Sequence, residues 1–404
     1  MKVSQGRNPF RPYLKTWLSL TAVALSAVGL FNLAVDPFRA YRLAFGGRLD
    51  AYKSKMNTRT AKAELLQHDA CNVLLLGSSR AEMGVDPLLP DWGARRVYNL
   101  ALEGTNLYET TYVLRYALRS GEVKKVILFA DFLMFTESRT VGGDFEKSRF
   151  NPERNVVEYH LDNVLSMYAT KCSFRALKDC AQGKRTQMRP HGNIIISRAM
   201  KAVDHQAAME KVIGRFLADP QTYGSYVYGP SRISLFGEMV RRCRDRGVEL
   251  MVVILPVHAL QLEAIRAAGL WETFETWKTD MVNSLADDAD AHRRAKPFVL
   301  WDFTGYSGIV AEPVPAKGQT TVRMKWFWES SHFKKKLGDL AICRILAQAP
   351  PGGEMPDDFG VKLTPANIAS HLARIRANRE AYARKHPEHI QMVQKLAREA
   401  RAKR

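Results

Sequence analysis

An apolar run ending in Gly77-Ser78-Ser79-Arg80 places two hydroxyls where a strand would turn into a helix. The glycine lets the backbone turn sharply and presents a hydroxyl at the mouth of a site. The next backbone N–H groups open toward the helix and can face a developing oxyanion. Near the other end of the chain, Glu329 is followed three residues later by His332, just ahead of a helical pattern. On one helical turn such a pair shares a face. Glu329 can then accept a hydrogen bond from one imidazole nitrogen and leave the other to take a serine proton, which is the orienting logic of a catalytic triad. A third piece is Asn99-Leu-Ala-Leu-Glu-Gly104-Thr-Asn106, where Gly104 can bring a backbone N–H to the oxyanion and Asn106 can add a side-chain donor. Each piece has a plain alternative: a Gly-Ser-Ser loop, a helix-start histidine with a nearby acid, and an ordinary turn with a helix cap.

Other residues carry weaker signals. His258, in Leu255-Pro256-Val257-His258, follows a later apolar run at the same expected sheet edge as Ser79; it lines the cleft or caps the next helix. His258 and Arg80 are the residues expected to touch substrate. Asp302 ends another run and is either a supporting acid or a turn former. Trp326 and Trp328 suit sugar stacking, a core position or a membrane-facing one. Asp131 and His160 have no partner visible in the sequence and receive no role.

These residues need a scaffold, and the alternation of patterns supplies one. Residues 72–76, 96–100, 125–130, 248–255 and 297–303 are short Val/Ile/Leu-rich runs bounded by turn residues. Such runs read as strands buried on both faces of a parallel sheet. Helical patterns over 107–119, 232–246, 258–268, 271–285 and 333–347 lie between or after them. The expectation is an α/β fold: a doubly wound parallel sheet with right-handed crossovers, binding ligands outside the carboxyl ends of its strands. Residues 144–225 interrupt the alternation and read as an insertion, either a structural lid or a cover over the active-site face.

Together and in this order, the three pieces resemble the SGNH/GDSL hydrolase superfamily, in particular its membrane-anchored branch of DltD-like and alginate O-acetylation (AlgJ/AlgX-like) proteins. The resemblance covers residues 68–347 and is most specific in LLLGSSRAEMGVDP and in the Glu-x-x-His-Phe ending. It implies a three-layer, flavodoxin-like sheet, with Ser79 rather than Ser78 as nucleophile. His332 becomes the base, Glu329 its acid, and Ser79 and Gly104 the backbone oxyanion donors, with Asn106 as a possible side-chain donor. Two departures stand out. The usual acid is Asp, and the Gly-x-Asn-Asp block is absent where the chain reads Phe129-Ala-Asp-Phe-Leu. The implied activity is transfer of an acyl group, acetyl foremost, to a cell-surface or exported polysaccharide. The implied partner is a multi-span membrane acyltransferase, and no cofactor or metal is implied. A polysaccharide or lipid esterase with the same triad is the alternative enzyme, and a non-catalytic scaffold or binding subunit is the alternative outside enzymes.

Trp17 to Val35 carries no charge and is long enough to cross a bilayer core as a helix. A cleaved signal peptide or a buried core helix are the other readings, but the run exceeds an ordinary signal core and lacks a clean cleavage site. Lys2, Arg7, Arg11 and Lys15 precede the run, which favours an N-in orientation, whereas Arg39, Arg42, Arg48, Lys53 and Lys55 follow it. The expected organisation is therefore a cytoplasmic stub and anchor (1–36), a juxtamembrane linker (37–67), a catalytic domain (68–350) on the periplasmic side of the inner membrane, and a basic helical tail (351–404). That tail reads as a solvated face or as a surface for anionic lipid or a partner.

The 46% hydrophobic and 25% charged residues fit a globular chain. A net charge of +19 favours anionic partners, among them membrane lipid and acidic polysaccharide. Zinc-finger spacing and an aromatic RNA-binding signature are missing, so nucleic acid is not expected. Cys71, Cys243 and Cys343 lie in apolar stretches; Cys172 and Cys180 suit a bridge only if no continuous helix separates them.

Overall fold

A computed structural model describes the chain apart from residues 1–9, 44–46, 54–56, 69–70, 90–91, 93–94, 187, 190, 195–203, 294, 307, 351–352, 354 and 404. Lys2, Arg7 and Lys55, which entered the charge comparison around the first helix, lie outside the described residues. The strands are β1 (Val73–Gly77), β2 (Val97–Asn99), β3 (Lys125–Ala130), β4 (Glu249–Ile254), β5 (Val299–Asp302) and β6 (Val361–Leu363). The helices in the first half are α1 (Phe10–Val35), α2 (Thr58–His68), α3 (Ser79–Gly84), α4 (Leu107–Ala117), α5 (Val156–Leu165) and α6 (Met167–Ala181). The second half adds α7 (His205–Ala218), α8 (Pro230–Asp245), α9 (Ala259–Ala267), α10 (Trp271–Ala291), α11 (Lys335–Ile345), α12 (Ile368–Lys385) and α13 (Pro387–Ala402).

Two compact units result: residues 1–65 with 146–188, and residues 66–145 with 189–404. In the first, α1 is long and apolar enough to cross a membrane. The pair α5–α6 packs along its C-terminal part. Asn32, fully buried, ties them together: its amide donates to the Val164 carbonyl (2.8 Å) and Thr170 Oγ1 (2.9 Å), and its carbonyl accepts from Ser173 Oγ (2.8 Å). Cys172 and Cys180 both lie on the continuous α6, which rules out a bridge between them, and all five cysteines are free thiols.

The second unit is mixed α/β, built on a six-stranded sheet of order β2-β1-β3-β4-β5-β6. The first five strands run parallel and β6 joins β5 antiparallel. Stepping left from β1 to β2 and then right through β3, β4 and β5 puts successive right-handed crossover helices on opposite faces. Accordingly α4, α8 and α10 pack side by side as one layer, while α3 packs on α11. Two strand orders diverge between β1 and β3, so the carboxyl end of β1 is a topological switch point, where open α/β sheets bind ligands.

Several features differ from the sequence reading for tertiary reasons. Helix α10 continues to Ala291 rather than stopping near Leu285, its last turns held by an Asp288 ion pair to Arg244 of α8 at 2.9 Å. Of the stretch 144–225, residues 146–188 fold with α1, whereas α7 belongs to the unit that contains the sheet. The basic C-terminal stretch is packed rather than free. Helix α13 lies on α7 and α9, burying Val393, Ala397 and Ala400. Its companion α12 sends Arg379 to Glu263 (3.1 Å) and Arg376 to Glu275 (2.7 Å).

Candidate functional site

Ser79 is the first residue of α3, directly beyond the carboxyl end of β1. His332 lies 253 residues further on, and its Nε2 is 2.9 Å from Ser79 Oγ. The loop that presents His332 is a tight return rather than a helical turn. Phe327 bridges Phe333, Trp328 N–H donates to the His332 carbonyl (2.9 Å), and Lys334 N–H donates to the Trp326 carbonyl (2.7 Å). Glu329 sits at its tip and gathers the N–H groups of Ser331 (2.7 Å) and His332 (3.0 Å) along with His332 Nδ1. The i to i+3 pairing expected from a helix is thus met by a carboxylate that closes its own loop. Behind it, the Ser330 carbonyl accepts from His258 N–H (3.0 Å) and Ser330 Oγ donates to Gln261 (2.7 Å), pinning the tip to the start of α9.

Two glycines bring this loop to the serine. A Cβ on Gly84 would run into the Phe333 ring, and one on Gly338 would strike the Gly84 carbonyl. Only hydrogen at both positions lets α3 and α11 meet backbone to backbone, with Phe333, the residue after His332, wedged between them.

Arg80 holds the site from the side. Its guanidinium pairs with Asp131 at the end of β3 (2.6 Å) and donates to the Ser331 carbonyl (3.0 Å) and Ser331 Oγ (3.0 and 3.2 Å). Asp131 also accepts from Ser78 Oγ (2.9 Å) and from Leu133 N–H (3.0 Å). The two adjacent serines are therefore not equivalent: Ser78 is buried on Asp131, while Ser79 is half-buried and meets His332. Burial favours a neutral Asp131, but Arg80, the Ser78 hydroxyl and nearby Arg139 outweigh it and hold its carboxyl below the usual range. Glu329 follows the same logic: burial is overcome by its bonds to His332 and the Ser331 N–H and by the Arg80 charge, so it stays a carboxylate.

Comparison with protein-family models, with curated proteins and with solved structures found no match. The site is therefore read from its own geometry.

Residues expected near the chemistry fall into two groups. Ser79, Glu329 and His332 come together. Gly104 occupies a left-handed turn (φ 71°) after β2, its carbonyl held by Arg139 Nε at 3.0 Å. Asn106, expected as a side-chain oxyanion donor, is engaged elsewhere: its carbonyl caps α4 through Glu109 N–H (2.9 Å) and its amide donates to the Arg139 carbonyl (2.8 Å). His258 and Arg80, expected on substrate, are both buried. His258 caps α9 and its Nε2 lies 2.8 Å from the Glu312 carbonyl; burial pushes its pKa down to about 4. Asp302 lies three strands from β1 and pairs with Lys278 (2.6 Å) and His371 (2.9 Å). Trp326 stacks under Lys325, and Trp328 lies under Lys334 beside a cavity of about 180 Å³ that Met83, Asp86 and Lys335 also line. His160 belongs to the other unit, where its Nδ1 meets the Tyr41 hydroxyl at 3.0 Å.

Asp131 received no role from the sequence, and Ser331 and Arg139 were not singled out there. Their one local signal was Asp131 standing at a strand end in place of the absent Asn block. Among the described residues, one set has metal-ligand spacing, His386, Glu388 and His389, with ligand atoms within 4.8 Å of one another at the junction of α12 and α13. None of the three contributes to the Ser79–His332 contact.

Proposed function

We propose that this chain is a membrane-anchored serine acyltransferase of the SGNH type, moving an acyl group, acetyl foremost, onto a cell-surface or exported polysaccharide. The observation that carries the reading is the chain of contacts from Ser79 Oγ to His332 Nε2 (2.9 Å) and from His332 Nδ1 to Glu329. A carboxylate on Nδ1 fixes the proton there and leaves Nε2 as the acceptor. His332 takes the Ser79 proton as Oγ bonds to the acyl carbonyl carbon. It then returns that proton to the departing oxygen as the old ester bond breaks, leaving acyl-Ser79. A sugar hydroxyl, deprotonated by the same nitrogen, attacks the acyl-enzyme and restores Ser79.

The first turn of α3 leaves backbone N–H groups without intrahelical partners, so Ser79 N–H is one oxyanion donor; Gly104 N–H is the second. Support for an SGNH-type arrangement comes from the strand order and from Ser79 standing at the switch point. Support for anchoring comes from α1; the proposal puts the sheet-bearing unit on the periplasmic side of the inner membrane, with a multi-span acyltransferase delivering the acyl group. Water in place of the sugar hydroxyl turns the same residues into an esterase.

The test is turnover of a small acyl ester by the full chain in detergent, with mass spectrometry of the trapped enzyme. Acyl-ester cleavage and a Ser79 adduct, both abolished in Ser79→Ala and the cleavage abolished in His332→Ala, are expected. Retention of activity in Ser79→Ala overturns the mechanism. A fully folded parent that neither cleaves nor acylates, even with oligosaccharide acceptor and a membrane acyltransferase present, favours a scaffold role.

A further inference from the structure

The helical pair α5–α6 leaves an apolar face uncovered in the same unit as α1. Val157 (65% exposed), Leu161 (50%) and Leu165 recur every four residues along α5, and α6 adds exposed Met167 (74%) and Phe174 (62%), the latter with its ring also against Phe31 of α1. Between this face and α1 lies a groove of about 710 Å³ lined by Leu25, Leu30, Leu33, Val157, Leu161 and Leu165 among others. Water-soluble surfaces seldom expose so much contiguous apolar area without a partner.

We propose that this α5–α6 face is a second membrane-contacting surface, seated among the phospholipid acyl chains of the leaflet from which the C-terminal turns of α1 emerge. The inference rests on reading α1 as a bilayer span. At 26 residues α1 is about 39 Å long, against a hydrocarbon core of about 30 Å. The excess lies at the N-terminal end, where Arg11 and Lys15 stand, so the uncharged residues 17–35 fill the core, Val35 reaches the headgroup boundary, and α5 packs over the half of α1 that ends there (Leu25, Leu30, Leu33). The Asn32 hydrogen bonds lock the hairpin at that depth, so inserting α1 carries the Val157–Leu165 stripe to the boundary with it. Charge fits the same occupant. Arg154 pairs with both Glu158 and Asp162, at 3.1 and 2.5 Å, which leaves one negative charge there, while Lys171, Lys178, Lys184 and Arg185 are exposed. An apolar stripe with a surplus of exposed cations is the pattern of a helix lying in an interface of anionic lipid.

The experiment uses the full chain carrying Cys180→Ser, leaving the four buried thiols. Single environment-sensitive labels are placed through Leu161→Cys, Phe174→Cys, Leu20→Cys in α1 and Val322→Cys in the sheet-bearing unit, all exposed positions. Each variant is reconstituted in phosphatidylcholine–phosphatidylglycerol vesicles. Spin-labelled lipid is expected to quench the labels at 161 and 174 about fivefold more than the label at 322, as for a helix buried at the acyl boundary. Iodide in the water should quench in the reverse order. If 161 and 174 follow 322 while 20 is quenched by lipid, α1 spans but the surface is aqueous, and the proposal falls. If 20 is not quenched by lipid either, the anchor reading falls with it. Labels at 161 and 174 shielded from both quenchers show that a second copy of the chain covers the face, which also overturns it.

Discussion

Replacing Arg80 with Met tests whether the site is held together as described. The side chain is 8% exposed and pairs at 2.6 Å with an equally buried Asp131. Removing one partner of a buried pair typically costs about 3–5 kcal/mol, because the other charge is left behind. Asp131 keeps the Ser78 hydroxyl, the Leu133 N–H and the field of Arg139. The loss should therefore fall at the lower end, about 3 kcal/mol. Arg80→Met also frees the Ser331 carbonyl and hydroxyl, on which the position of His332 depends. A misplacement of about 1 Å at a reacting group costs on the order of 10²-fold in rate. Urea unfolding and acyl-ester kinetics on Arg80→Met, Asp131→Asn and the double variant separate the two effects. Neutralising Asp131 in the double variant should recover most of the stability, while kcat stays about 10²-fold down with KM little changed. A double variant that regains both stability and kcat would refute the idea that Arg80 positions the histidine loop. So would an Arg80→Met protein that loses less than about 1 kcal/mol.

Two further outcomes follow from neighbouring contacts. Ser78→Ala should leave kcat within about threefold and cost about 1.5–3 kcal/mol, the worth of a hydrogen bond to a charged acceptor; a loss of activity equal to that of Ser79→Ala would mean the wrong serine has been assigned. His258, pushed down to about 4 by burial, takes up a proton in the unfolded chain at higher pH than in the folded one. Its contribution is complete above an unfolded pKa of about 6.5 and is lost as pH falls toward 4, by about 3 kcal/mol in all. The stability difference between the parent and His258→Gln should shrink by that amount from pH 7 to pH 4, and a constant difference would contradict it.

The elements visible in the sequence are those whose partners are local or whose burial is uniform. Residues 125–130 are a lysine followed by an unbroken apolar run, and β3 has the same bounds. Leu107 onward shows helical spacing behind a capping Asn106, and α4 begins there. The edge strand β6 has three residues with one buried, too little to register as a pattern. In the site, Ser79, Glu329 and His332 were legible because their residue types and order are chemically distinctive. Arg80 was not, because a charge beside a serine reads as a surface group until Asp131, 51 positions away, is seen to receive it. Asn106 and His258 each allowed a capping and a site reading, and both cap a helix in the structure; a polar side chain spent on a helix terminus has little left for a ligand.

The 253-residue separation between Ser79 and His332 has a bearing on biogenesis. A chain made from its N-terminus carries the Ser79 hydroxyl past the ribosome long before His332 exists. Until the loop at Glu329 closes on α3, Ser79 Oγ has no contact with His332. The Ser79–His332–Glu329 contact is thus assembled only in a nearly complete chain, and prematurely ended products lack it.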